Sequence, residues 1–228
     1  MTRTVRLAAA LLFLLAACQG PEQLVLKKYF SAVQLKDKAT LAAIAVEPTM
    51  PNLTKWEIVS PGEITTQVAP LKALQQAADE AKAKLEGLKG KAREAQAAMD
   101  AAKATLESAS KKEKAVAQSD FDAKETAYEQ AVQAVKDQQK VLNNAKGDAD
   151  AERKITALSA SDLPGLETMD GEYRSKEVVV KLTIKKEDET QEAKNYVVTM
   201  RSYKMVNPAT GRTSRGKWII MHMQPQGT

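Results

Sequence analysis

The chain has 228 residues, with 34 Lys and Arg against 29 Asp and Glu, a formal charge of +5, one cysteine and one histidine. A single cysteine excludes an intrachain disulfide, and one histidine beside it argues against a soft-metal site. So small a charge excess is weak for a nucleic-acid binder, and none is expected as a partner.

Met1–Arg6 carry Arg3 and Arg6, Leu7–Ala17 are wholly apolar, and Leu15-Ala16-Ala17-Cys18 closes the run. Basic, then apolar, then small is the order of a signal peptide, and eleven apolar residues are too few to span a bilayer. The leader resembles a bacterial lipoprotein signal. That resemblance implies that residues 1–17 are removed and that Cys18 becomes an acylated N-terminus, so the membrane itself is the first partner. Each buried acyl methylene contributes roughly 0.8 kcal/mol, and more than one chain makes attachment stable. Gln19 stands where retention at the inner membrane favours aspartate in lipoproteins of two-membrane bacteria. The expected address is therefore the outer membrane, facing the periplasm. Loss of two leader arginines leaves 32 basic against 29 acidic side chains.

Glu22–Val46 reads as two helices, with Val25, Tyr29, Phe30 and Val33 near one face of the first and Asp37 as N-cap of the second, Lys38–Val46. Pro48 and Pro51 end helical structure. Lys55–Ser60 and Glu63–Val68 are short strands, read as a hairpin about Pro61-Gly62.

From Leu71 to Ala109 an apolar residue recurs with heptad spacing. Leu71, Ala78, Leu85, Ala92, Met99 and Leu106 occupy one seam position; Leu74, Ala81, Leu88, Ala95, Ala102 and Ala109 occupy the other. This predicts a coiled-coil helix, with Gly87 and Gly90 on its outward face. A second arm follows, with Phe121, Tyr128, Val135, Leu142 and Ala149 in register and Ala131 and Ala145 between them, though Lys124, Gln138 and Glu152 interrupt its seam. The tip is placed at Ser108–Asp120, with Ser119 or Asp120 as N-cap. An antiparallel hairpin is expected; the alternative is a continuous helix that oligomerises between chains.

Three strands follow: Glu177–Lys185, Asn195–Met205 and Lys217–Met223, the last two joined by the Asn207-Pro208-Ala209-Thr210-Gly211 loop. Seven aromatics, Tyr29, Phe30, Trp56, Tyr173, Tyr196, Tyr203 and Trp218, lie outside the hairpin, which places the globular core in the flanks. The expected division is 1–17 signal, 18–67 first part of an α+β domain, 68–158 hairpin and 159–228 a β-meander that completes the domain.

The order of these elements, and the start "VLKKYFSAVQLKDKATLAAIA", resemble the nuclear transport factor 2-like superfamily over residues 22–67 and 160–223. The resemblance implies a curved antiparallel sheet with N-terminal helices, here with the hairpin in place of a third helix. It implies fold more than activity, because members include enzymes, ligand binders and interaction modules.

Signals for chemistry are sparse. His222 lies in phase with Trp218 and Ile220 on a strand, which favours a packed or edge histidine over a catalytic base. No Gly-x-Ser-x-Gly elbow and no phosphate-cradling glycine run occurs. Asp148, Asp150 and Glu152 lack calcium-loop spacing. No catalytic residue, metal or cofactor is expected. Two basic groups are candidates for interaction: Lys111, Lys112 and Lys114 at the tip, and Arg201, Lys204, Arg212, Arg215 and Lys217 around the last loop.

The leading expectation is a non-enzymatic, membrane-anchored envelope lipoprotein, a binding or scaffold module whose hairpin is the projecting arm that engages an envelope protein. Alternatives are a periplasmic adaptor of an efflux or secretion system, and a small-ligand-binding or catalytic cone-shaped domain. Residues 55–68 lack the glycine-valine pattern of a lipoyl half-domain, which weighs against the adaptor.

Overall fold

The structure is a computed structural model that describes residues 20–161 and 163–227. Residues 1–17, expected to be a signal peptide, and Cys18 and Gln19 lie outside the described residues. The chain forms two units. One comprises the described residues up to Ala69 together with those from Lys154 onward, and the other is Pro70–Arg153.

The first unit is α+β. Pro21 opens α1 (Pro21–Leu35) at a position that needs no backbone donor. Lys36, left-handed at φ 55°, ends it, and the Asp37 amide closes the turn on Ala32 O at 2.8 Å. Asp37 then caps α2 (Lys38–Ile44) by accepting from the Thr40 amide at 3.1 Å. Helix α2 ends at Ile44, two residues earlier than expected, because Ala45–Glu47 run along the strand at Ile219–Pro225. Val46 N donates to Ile220 O at 2.9 Å, exchanging helical partners for a sheet edge.

The strands are β1 (Leu53–Ser60), β2 (Ile64–Val68), β3 (Asp170–Lys185), β4 (Gln191–Val206), β5 (Thr213–Arg215) and β6 (Ile219–Pro225). They build one curled antiparallel sheet in which β3 and β4, each of 16 residues, pair along their whole length. Each long strand is flanked by a broken one: β1 and β2 both pair with β3, while β5 and β6 both pair with β4.

β1 and β2 therefore do not form the expected hairpin. Ser60 pairs with Val179 and Ile64 with Lys176, so three residues on one side face two on the other. Pro61-Gly62 produces a bulge in an otherwise continuous edge. Gly62 has φ 62°, and a Cβ there would lie 1.8 Å from Glu177 O, so only glycine fits.

The inner face of the sheet carries the core. Even-numbered β3 residues Val178, Val180 and Leu182, with Val198 and Met200 of β4 and Ile220 of β6, pack on Leu26, Tyr29, Phe30, Leu41 and Ile44 of the helices. Tyr29 and Phe30 meet edge to face with ring centres 5.3 Å apart, and Phe30 lies 4.7 Å from Trp56. The Tyr29 hydroxyl donates to Thr49 O and accepts from Thr49 N, both at 3.2 Å, which satisfies its polar end where the ring is buried.

The second unit contains α3 (Leu71–Ser108) and α4 from its start at Lys114 to Arg153; α4 continues to Ala160. Two long helices pack together here. The eleven predicted seam positions within α3, and Ala109 at its C-cap, are buried or half-buried, and nearly every other position of the helix is exposed. Ala81 and Leu85 cluster with Leu142 and Val135. Gln138, expected to spoil the seam, is buried and donates from Nε2 to Ala81 O at 3.1 Å. Residues 81 and 138 lie at nearly equal distances in sequence from the 109–113 bend, so the helices run antiparallel.

The bend is shorter than expected, and Ser119 and Asp120 are helical rather than caps. Ser110 and Glu113 instead form the carboxylate half of a capping box: the Ser110 amide and hydroxyl donate to Glu113 Oε2 at 3.3 and 2.6 Å. Gly87 is exposed and Gly90 half-buried, and a Cβ at either would meet nothing within 4 Å.

Candidate interaction surfaces

At the tip, the capping box fixes the backbone that carries Lys111, Lys112 and Lys114, all exposed. The Ser110 hydrogen bonds hold the Glu113 carboxyl below its usual range, so it stays ionised beside these lysines. Between the helix ends lies an open cleft of about 730 Å³, bordered by Thr105, Ala109, Lys112, Val116 and Ala117. Val116 is among the most exposed large apolar residues of the unit.

Of the five basic residues around the last loop, Lys204 and Arg215 are cross-strand partners and Arg212 precedes β5, while Arg201 and Lys217 are engaged elsewhere. Arg201 stacks on Tyr173, with its guanidinium carbon 4.5 Å from the ring centre. Lys204 Nζ lies 3.0 Å from Glu172 Oε1 on the neighbouring strand, and Lys217 Nζ donates to Ala43 O at 3.0 Å. Arg212 and Arg215 are exposed, the first just before the short β5 and the second its last residue. In the preceding loop, Asn207 Oδ1 accepts from the amides of Ala209 and Thr210, and Gly211 turns at φ 66°. Strand pairing also gives Lys204 a carboxylate partner 32 residues away, which the sequence did not show.

His222 is half-buried, and its Nε2 lies 3.3 Å from Thr199 Oγ1. It does not share a face with Ile220. A register shift puts His222 opposite Thr199 and Ile220 opposite Met200, so the histidine falls on the outer face of the sheet. Asp148, Asp150 and Glu152 all lie on α4, where successive even positions point in different directions. Among the described residues no three His, Cys, Asp or Glu side chains are grouped to hold a metal ion.

Two polar devices were not legible in the sequence. Glu22 in the first turn of α1 and Lys176 in β3 form a buried ion pair, Nζ to Oε1 2.6 Å. Burial alone would raise the Glu22 carboxyl, but the Lys176 hydrogen bond, a backbone hydrogen bond and the charges of Lys176 and Arg174 outweigh it and hold the group below its ordinary value. The second device is Ser159 in the last turn of α4. Its hydroxyl donates to Lys217 O at 2.6 Å and accepts from Tyr203 N at 3.1 Å, while Ser159 O accepts from Lys217 N at 3.0 Å. A Cβ on Gly216 would come 2.4 Å from that hydroxyl, so the gap between β5 and β6 is shaped to receive α4. The only sequence trace of this joint is Arg215-Gly216-Lys217, a glycine inside a strand-like stretch.

At the exposed β3–β4 turn, Glu192 accepts from Lys186 and Lys194 at 2.8 and 2.6 Å, and these bonds pull its carboxyl down to about 2. Among the described residues no helix is long and apolar enough to cross a membrane. No protein-family model matches the chain, and neither a curated protein nor a solved structure matches it.

Proposed function

We propose that this chain is a lipoprotein of the bacterial cell envelope: Cys18, exposed by removal of residues 1–17, is acylated, and the protein acts as a non-enzymatic binding or scaffold module at the outer membrane. In this reading the sheet unit is a nuclear transport factor 2-like domain. The helical pair is a coiled-coil hairpin, and it is the arm that captures another envelope protein.

The observation that carries this reading is the helical unit itself. A run of 38 residues in α3 keeps one apolar seam covered and presents its remaining surface to solvent. The inner face of the sheet is filled by side chains: Tyr29, Phe30, Val180, Leu182, Val198 and Met200 have no exposed surface. The helices and the tip residues Lys111, Lys112 and Lys114 offer accessible surface to a protein partner.

Replacing Ala77–Asn144 by a short Gly-Ser turn removes most of the arm while leaving the sheet unit's core residues in place. Affinity purification from crosslinked envelopes is expected to recover a partner with the intact chain and to lose it with the shortened one. Equal recovery from both would rule out the arm. Mass spectrometry of the purified N-terminus tests the anchor separately, with diacyl or triacyl Cys18 as the expected species.

A further inference from the structure

Helix α1 begins at Pro21, three residues after Cys18, so the intervening chain reaches at most about 10 Å. The buried Glu22–Lys176 pair ties the first turn of α1 to the sheet, leaving no slack behind the anchor. Given the acylation reading above, on which this inference rests, the start of α1 is confined to the depth of the lipid headgroups.

One side of α1 is committed to the core through Leu26, Tyr29, Phe30 and Val33. The opposite side is open, with Leu24 57% and Leu35 77% exposed. These leucines share one helical face and are separated by three turns, about 16 Å along the axis. Lys28, Lys36 and Lys38 are exposed around them. The acids of residues 20–46 are Glu22, neutralised in its ion pair, and Asp37, engaged in capping α2. This face carries a leucine at each end, with exposed Lys28 and Ser31 in line between them, and such a mixed apolar and cationic face, close behind an acyl anchor, complements an anionic bilayer surface.

We propose that the outward face of α1 lies in the membrane interface, parallel to the bilayer plane. Leu24 and Leu35 enter the boundary between headgroups and acyl chains, and Lys28 and Lys36 meet lipid phosphates. The lipid anchor and the helix then form one continuous attachment that holds the sheet unit against the membrane.

The test uses the full-length acylated protein in vesicles of phosphatidylethanolamine and phosphatidylglycerol, spin-labelled singly at Leu24→Cys, Leu35→Cys or Lys181→Cys. The first two sites are on the open face of α1, and Lys181 is exposed on the sheet face turned away from that helix. Collision of the labels at 24 and 35 with a water-soluble nickel chelate is expected to be at least about threefold lower than at 181, with oxygen collision raised. Equal nickel collision at all three sites on a chain whose Cys18 is acylated by mass spectrometry would overturn this inference and leave the anchor standing. An unmodified Cys18 would overturn both.

Discussion

The sheet unit and the helical unit hide their apolar surface in opposite ways. The first buries large side chains, Tyr29, Phe30, Leu182, Met200 and Trp218, brought together from distant stretches of chain. The second buries small alanines, Ala78, Ala81, Ala102 and Ala149, interspersed with Leu71, Leu85 and Leu142. A thin seam gains little apolar burial per residue, but it lets two helices approach closely and leaves most of their surface facing water. The contrast is between a unit with a thick apolar core and one with a thin seam.

Both tryptophans, Trp56 and Trp218, belong to the sheet unit, so their fluorescence reports it, whereas the far-ultraviolet helix signal is dominated by α3 and α4. The largest expected effect falls on the first probe. Phe30→Ala removes a fully buried ring and should lower stability by about 3–5 kcal/mol, measured as a loss of midpoint in urea followed by tryptophan fluorescence.

Lys176→Met strands the Glu22 carboxylate and should cost about 3 kcal/mol by the same probe, with Glu22→Gln in the same chain recovering much of the loss. The pH dependence has a definite sign. Glu22 is held below its ordinary value of 4.5 in the folded state, so the pair's contribution is fully present above that pH and declines as pH falls below it. The sheet transition should soften on acidification in the native protein and less so in the double variant.

Leu85→Ala acts in the thinner core and should cost about 2 kcal/mol, visible in the helix signal with the fluorescence transition displaced less. The smallest change per residue is a gain. Gly87→Ala with Gly90→Ala places two Cβ atoms in open space and should stabilise α3 by about 1 kcal/mol each, raising the helical melting temperature and leaving partner capture intact.

What could be read from the sequence follows the range of the interactions. The heptad seam of α3 was legible in full because helical periodicity is local, and the Asp37 cap was legible for the same reason. The Ser110-x-x-Glu113 capping box was equally local but was masked by the search for a longer tip. The N-terminal half of β3 was missed because Arg174 and Lys176 break its apolar alternation. Lys176 is tolerated inside only through Glu22, 154 residues earlier in the chain. The bulge at Pro61-Gly62 reads as a hairpin turn in isolation, and only β3, pairing on both sides of it, makes it a bend within one edge. The joint at Ser159 likewise exists only once α4 reaches the gap between β5 and β6.

The account turns on the helical arm as the surface that captures a partner at the membrane. The most direct measurement is photocrosslinking in intact cells, with a photoreactive residue at Lys112 of the tip and, in a separate chain, at Arg212 of the sheet unit. The account predicts a discrete protein adduct from position 112 and none from 212. An adduct from 212 alone, or none from 112 in correctly anchored protein, would contradict it.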